Sequence, residues 1–128
     1  MDKELKVLFD AALKARKNSY SPYSKFKVGA AVLTGSGKIY SGANIENASY
    51  GATVCAERIA IFKAVSEGEK SIEKIALVTD TAEFTAPCGI CRQVMSEFNS
   101  NLEIYLFDMK GNFKKHELQE LLPEQFRL

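Results

Sequence analysis

A chain of 128 residues that is 46% hydrophobic has the material for one compact domain with its own core, spanning 1–128. Its formal net charge is +1, with acids and bases interspersed, so there is no broad basic field to recruit a nucleic-acid polymer. No apolar run approaches a signal sequence or a membrane span, and three cysteines, an odd number, make no disulfide framework. The expected compartment is a reducing cytoplasm, where all three stay thiols.

Leu5, Leu8, Phe9, Ala12 and Leu13 recur at helical spacing, which predicts an amphipathic helix over residues 3–17. Residues 18–24 are turn formers with two tyrosines among them, suited to a pocket wall or to plain surface packing. A strand follows from Lys27 to Thr34, with Val28, Ala30 and Val32 on one side and Ala31 and Leu33 on the other, so both faces are covered. Gly35-Ser36-Gly37 turns it into a second strand, Lys38 to Ser41, and residues 42–51 form a long polar loop of the kind that often carries function.

From Thr53 to about Ser66 the pattern is helical and almost wholly apolar, so the helix is largely buried and the charges of Glu57 and Arg58 stand out. Ile75-Ala76-Leu77-Val78 reads as a buried strand within 71–80. Pro87 is expected at the first position of a third helix whose inner face is Cys91, Val94, Met95 and Phe98. Leu102 to Phe107 is another strand, 112–114 a short last one, and His116 to Leu122 a final helix stopped by Pro123. The order αββαβαββα predicts an α/β fold in three layers, a mixed sheet sandwiched between helices.

The chemistry lies in Cys55-Ala56-Glu57-Arg58 and Pro87-Cys88-Gly89-Ile90-Cys91-Arg92. Zinc takes thiolates readily, and a catalytic zinc keeps three protein ligands with one position for water. A Cys-x-Glu followed by Pro-Cys-x-x-Cys is the three-cysteine signature of zinc nucleobase deaminases. Cys88 and Cys91, three apart, point the same way from a helix, and Cys55 is expected in the first turn of its own. Helix N-termini favour thiolate. Three thiolates leave a surplus of negative charge, and at least one of Arg58 and Arg92, each one residue from a site residue, is expected to offset it by donating to sulfur. Glu57, near the metal but projecting differently, is a proton carrier for attack by water at an amine-bearing carbon. Two other readings are weaker. A structural zinc needs a fourth protein ligand, and the sole histidine, His116, lies outside the motifs; a thioredoxin-like pair leaves Cys55 and Glu57 idle.

From about Ser21 to the C-terminus the chain resembles the cytidine deaminases of the short, homotetrameric type. The likeness runs through Phe26-Lys27-Val28-Gly29-Ala30-Ala31, Asn44-Ile45-Glu46-Asn47-Ala48-Ser49-Tyr50-Gly51 and the two cysteine motifs. The Asn-Ile-Glu-Asn loop is its most specific part and separates nucleoside deaminases from enzymes acting on bases within RNA or DNA. The resemblance implies a cytidine deaminase-like fold with a five-stranded mixed sheet. It also implies one Zn²⁺ per chain on Cys55, Cys88 and Cys91, with Glu57 catalytic. The activity it implies is hydrolysis of cytidine and 2′-deoxycytidine to uridine and 2′-deoxyuridine with release of ammonia, in pyrimidine salvage.

By the same resemblance, Asn44 and Glu46 hold the ribose 3′-hydroxyl, Phe26 packs on the pyrimidine and Ala56 offers its N–H to the base carbonyl. Ala48, Tyr50 and Phe126 reach a neighbouring subunit's pocket in a homotetramer. Ile59 and Ile90 stand where relatives often carry smaller or polar residues, which leaves the zinc ligands untouched. Three alternatives stay in view: a cytosine-bearing antibiotic as substrate, a base in tRNA, and a structural zinc module. The antibiotic deaminases share the zinc motifs but not the Asn-Ile-Glu-Asn loop, and tRNA would want a basic groove.

Overall fold

The structure, a computed structural model, describes residues 1–128. Helix α1 (Lys3–Arg16) starts where the Asp2 carboxylate accepts the Leu5 N–H at 2.7 Å, with Glu4 in its first turn and Lys14 and Arg16 in its last, matching the helix dipole. It is followed by β1 (Val28–Thr34), β2 (Ile39–Ala43), α2 (Ala56–Ser66), β3 (Ile72–Thr79), α3 (Gly89–Phe98), β4 (Glu103–Phe107), β5 (Phe113–Glu117) and α4 (Leu118–Leu121). A single 3-10 turn, Tyr50–Ala52, interrupts the loop before α2.

The strands lie in the order β2-β1-β3-β4-β5. β1 pairs antiparallel with β2 and β3, β4 with β5 likewise, and only β3 and β4 run parallel, joined across one face by α3. This is the mixed five-stranded sheet expected. Because successive strand residues face opposite ways, β1 splits as anticipated. Ala31 and Leu33 join Ala76, Val78, Tyr105 and Phe107 beneath α1, while Val28, Ala30 and Val32 join Ile75, Leu77, Ile104 and Leu106 beneath α2, α3 and α4. Two cores, one on each face, make the three layers.

Gly29 lets α1 lie this close to the sheet: a Cβ there would stand 2.0 Å from the Ala12 carbonyl oxygen. Gly42 does the same for α2, where a Cβ would meet Ile59 at 2.5 Å. That packing also extends β2 to Ala43, two residues past the expected end at Ser41, since the Gly42-Ala43 backbone pairs with Ala30 and Gly29.

Two helix starts differ from expectation in the same sense. α2 begins at Ala56, so Cys55 is the residue before the first turn rather than within it; α3 begins at Gly89, which puts Cys88 in that place and Pro87 outside the helix. At the C-terminal end His116 and Glu117 complete β5 by pairing with Ile104 and Glu103, so the last helix is only Leu118–Leu121.

Candidate active site

Both cysteine motifs fall at the N-terminal ends of helices packed on the same face of the sheet, which is why residues 33 positions apart meet. The Cys55 and Cys88 sulfur atoms are 3.9 Å apart, and those of Cys55, Cys88 and Cys91 all lie within 4.8 Å of one another. A disulfide needs about 2.05 Å, so these are free thiols. Tetrahedral bonds of about 2.3 Å to zinc place two sulfurs roughly 3.8 Å apart, and the cluster is already near that spacing. No histidine or further cysteine joins it, so three protein ligands leave one position open. The donor set fits a catalytic zinc.

The surroundings fit as well. Arg58 points Nη2 at Cys55 Sγ from 3.7 Å and at the Thr53 carbonyl from 3.4 Å, while its buried Nε has no partner. A half-buried guanidinium held against sulfur is matched by an anionic cluster. The neighbouring Cys91 thiol, and then Arg58, pull the Cys55 thiol down to about 5. Cys91 is fully buried; as the partner donating to Cys55, and by its burial, it is pushed up. Arg92, by contrast, donates to no sulfur. Its Nε binds the Pro87 carbonyl at 2.7 Å and its Nη1 the Leu121 carbonyl at 2.8 Å, so of the two candidate arginines Arg58 is the one that reaches sulfur and Arg92 is a backbone tie.

Glu57, second residue of α2, is only 4% exposed, and burial raises its carboxyl to about 7 despite the nearby Arg58 charge. A carboxyl poised near neutrality beside the thiol cluster suits proton transfer in both directions.

Glu57, Cys55 and Cys88 open onto a cavity of about 240 Å³ that also takes Phe26, Asn44, Glu46 and Ala56 from the expected site residues. Its floor is Val28, Leu77 and Thr79 at the ends of β1 and β3, and one wall is Thr85 and Ala86. Ala56, as the first residue of α2, has an N–H without an intrahelical partner. A second cavity of about 410 Å³, between Tyr23 and Tyr50, shares Ser24, Glu46 and Thr53 with the first. Another depression, about 480 Å³, is lined by Ser100, Gln119, residues 122–125 and Arg127 and includes none of the thiols.

Asn44 and Glu46 prove more tightly held than sequence suggests. The Asn44 Oδ1 accepts the Val28 N–H at 3.0 Å and the Ser19 hydroxyl at 2.5 Å, and Nδ2 donates to the Phe26 carbonyl at 2.8 Å, leaving one amide hydrogen free. The Glu46 Oε1 accepts the N–H groups of Tyr23 and Ser24 at 2.9 and 3.1 Å, and its Oε2 accepts the Ser24 hydroxyl. These bonds hold the carboxyl below the usual range, the Ser24 hydroxyl foremost. Ala48, Tyr50 and Phe126 are exposed, the latter two at 78% and 66%, and none lines the cavity beside the thiols. Sequence reasoning misses Ser19, Ser24 and Thr53; the serine- and tyrosine-rich composition of 18–24 is the only signal for the two serines, and Thr53 has none.

Residues 2–106 match a family model described as the cytidine and deoxycytidylate deaminase zinc-binding region. A cytidine deaminase of Halalkalibacterium halodurans is 48% identical over 127 residues, 98% of this chain and 95% of that protein. One from Sporosarcina psychrophila is 48% identical over 96% of this chain and 91% of its own. Among solved structures, the cytidine deaminase of Burkholderia pseudomallei superposes with a TM-score of 0.91 at 45% identity, covering 98% of this chain and all of that one.

Proposed function

The chain belongs to the cytidine and deoxycytidylate deaminase family, and from that premise we propose how its residues divide the work. The protein is a zinc-dependent cytidine deaminase, hydrolysing the amine from the pyrimidine and releasing ammonia. The observation that carries the residue assignment is a cluster of three sulfurs, two of which, those of Cys55 and Cys88, open with the buried carboxyl of Glu57 onto one cavity.

In this reading Cys55, Cys88 and Cys91 hold the zinc and Arg58 offsets their charge. Zinc, when bound, supplies Lewis acidity that makes water a nucleophile near neutral pH. Glu57 takes the proton that water gives up on attacking the amine-bearing carbon and delivers it to the adjacent ring nitrogen. It then carries a second proton to the departing amine, so one water is consumed and one ammonia released. The pyrimidine lies against Phe26, the Ala56 N–H meets the base carbonyl, and Asn44 and Glu46 take the sugar 3′-hydroxyl. No side chain in the cavity is assigned to the 2′ position, so cytidine and 2′-deoxycytidine both pass.

The 128 residues act as one domain, and the working unit is a homotetramer in the cytoplasm. What supports the assembly is the apolar surface left open: Ile45, Tyr50, Phe62 and Phe126 are all exposed. Ala48, Tyr50 and Phe126 are then the residues that complete a neighbour's pocket. Free thiols support a reducing compartment, and no helix is long and apolar enough to cross a membrane. Ammonia release from cytidine by zinc-loaded protein tests the activity. Glu57→Gln should lose roughly 10²- to 10⁴-fold in kcat while retaining one zinc per chain; an active variant, or one without metal, rejects this division of roles. Light scattering that finds only monomer at micromolar concentration rejects the shared pocket.

A further inference from the structure

The turn that carries Ser24 is built with some strain. Lys25 has a φ of 61°, a left-handed conformation that a lysine adopts only where its surroundings impose it. Its neighbours do so: the Lys25 N–H binds the Ser21 carbonyl at 3.0 Å, and Glu46 receives the two preceding N–H groups. The result aims the Ser24 hydroxyl at the pocket. It donates to Glu46 Oε2 and accepts the Phe26 N–H at 3.0 Å, so one oxygen atom ties together a side chain 22 positions away and the next aromatic residue.

We propose that Ser24 is a positioning residue for the sugar: its hydroxyl, itself anchored by the Phe26 N–H, fixes the Glu46 carboxylate so that a 3′-hydroxyl meets an oriented acceptor. This rests on the assignment of Glu46 to the sugar. With Oε1 already taken by two N–H groups, Oε2 is the atom with capacity left, and Ser24 occupies only one of its lone pairs. A carboxylate so held is an acceptor only, and a substrate lacking the 3′-hydroxyl leaves it unmatched. The same bonds favour its ionised form, so removing the serine should also move the acid limb of binding to higher pH.

The experiment compares cytidine with 3′-deoxycytidine as substrates of the zinc-loaded enzyme and its variants. Ser24→Ala should lose about tenfold in kcat/KM for cytidine, the size expected for a hydrogen bond to a charged group, and the loss should fall on KM. For 3′-deoxycytidine the loss should be under about twofold, since the 3′-hydroxyl that Glu46 would receive is missing. Ser24→Thr, which keeps the hydroxyl, should restore selectivity. An equal loss on both substrates, or none on either, overturns the proposal. Glu46→Gln separates the two levels: if it penalises both substrates alike, the sugar assignment itself fails. If it penalises cytidine alone while Ser24→Ala does not, only the role of Ser24 fails. Should Ser24→Ala not fold, Ser24→Cys, a weaker donor of similar size, replaces it, and an intermediate loss confined to cytidine supports the proposal while an unselective one overturns it.

Discussion

Arg92 donates its Nε hydrogen to the carbonyl of Pro87, the residue just before Cys88. With its Nη1 on the Leu121 carbonyl, it ties the loop that presents one ligand to the C-terminal segment, while Arg58 alone reaches sulfur. The two arginines, equivalent in sequence, should therefore fail differently. Arg58→Ala should weaken zinc binding by about 10- to 100-fold, as the loss of a partner of a metal ligand does. Arg92→Ala should retain zinc within a few-fold but lower unfolding free energy by about 2 kcal/mol. Chelator competition and urea titration of both variants check this; equal losses of zinc affinity would refute the division.

Burial of Glu57 links stability to pH once the metal is chelated away. Its carboxyl sits at about 7 in the folded chain against an ordinary 4.5, so the folded state holds the proton more tightly. Stability from this group is present below pH 4.5 and lost as pH rises through about 7, a difference on the order of 3 kcal/mol. Glu57→Gln has no charge to bury. In chelated protein, the variant's advantage over the parent should thus be small at about pH 5 and grow towards about pH 8. A gap independent of pH in urea unfolding would contradict this.

Chelation should also expose the thiols unequally. Cys88 is exposed and Cys55 half-buried with a lowered pKa, whereas Cys91 is fully buried with a raised one. After zinc removal, alkylation followed by mass spectrometry should label Cys55 and Cys88 first and Cys91 last by at least about tenfold, with zinc protecting all three. Early labelling of Cys91 would contradict this and show that α3 opens once the zinc is gone.

Gly29→Ala tests the packing that seats α1. The added methyl would stand 2.0 Å from the Ala12 carbonyl oxygen, which belongs to helix backbone and cannot rotate away. Destabilisation of about 3 kcal/mol is expected, at the upper end for overpacking, with zinc content unchanged. Thermal unfolding within a degree or two of the parent would mean that α1 shifts freely.

Much of the fold is legible in the chain itself. The two faces of β1 follow from alternation, α1 from its 3.6-residue stripe, and the metal site from three cysteines and a carboxylate at fixed spacing. What escapes such a reading depends on contacts between distant positions. Gly42 and Ala43 look like loop until Ile59 packs over them, and His116 looks helical until Ile104 pairs with it. Arg92 cannot be told from Arg58 by sequence, because only the folded chain brings the Leu121 carbonyl within its reach. Ser24 carries no periodic signal, and its partner Glu46 lies 22 residues on.

Cys55 and Cys88 stand immediately before α2 and α3, and neither side chain bonds to its helix. That position is where serine, threonine or aspartate would satisfy a free N–H and add about 1 kcal/mol. The enzyme has thus traded two sturdier helix beginnings for reactivity. Cys55→Asp and Cys88→Ser should each melt later than the chelated parent, although neither will turn over. Heat resistance in this chain and its capacity for chemistry are set against each other at the same two atoms.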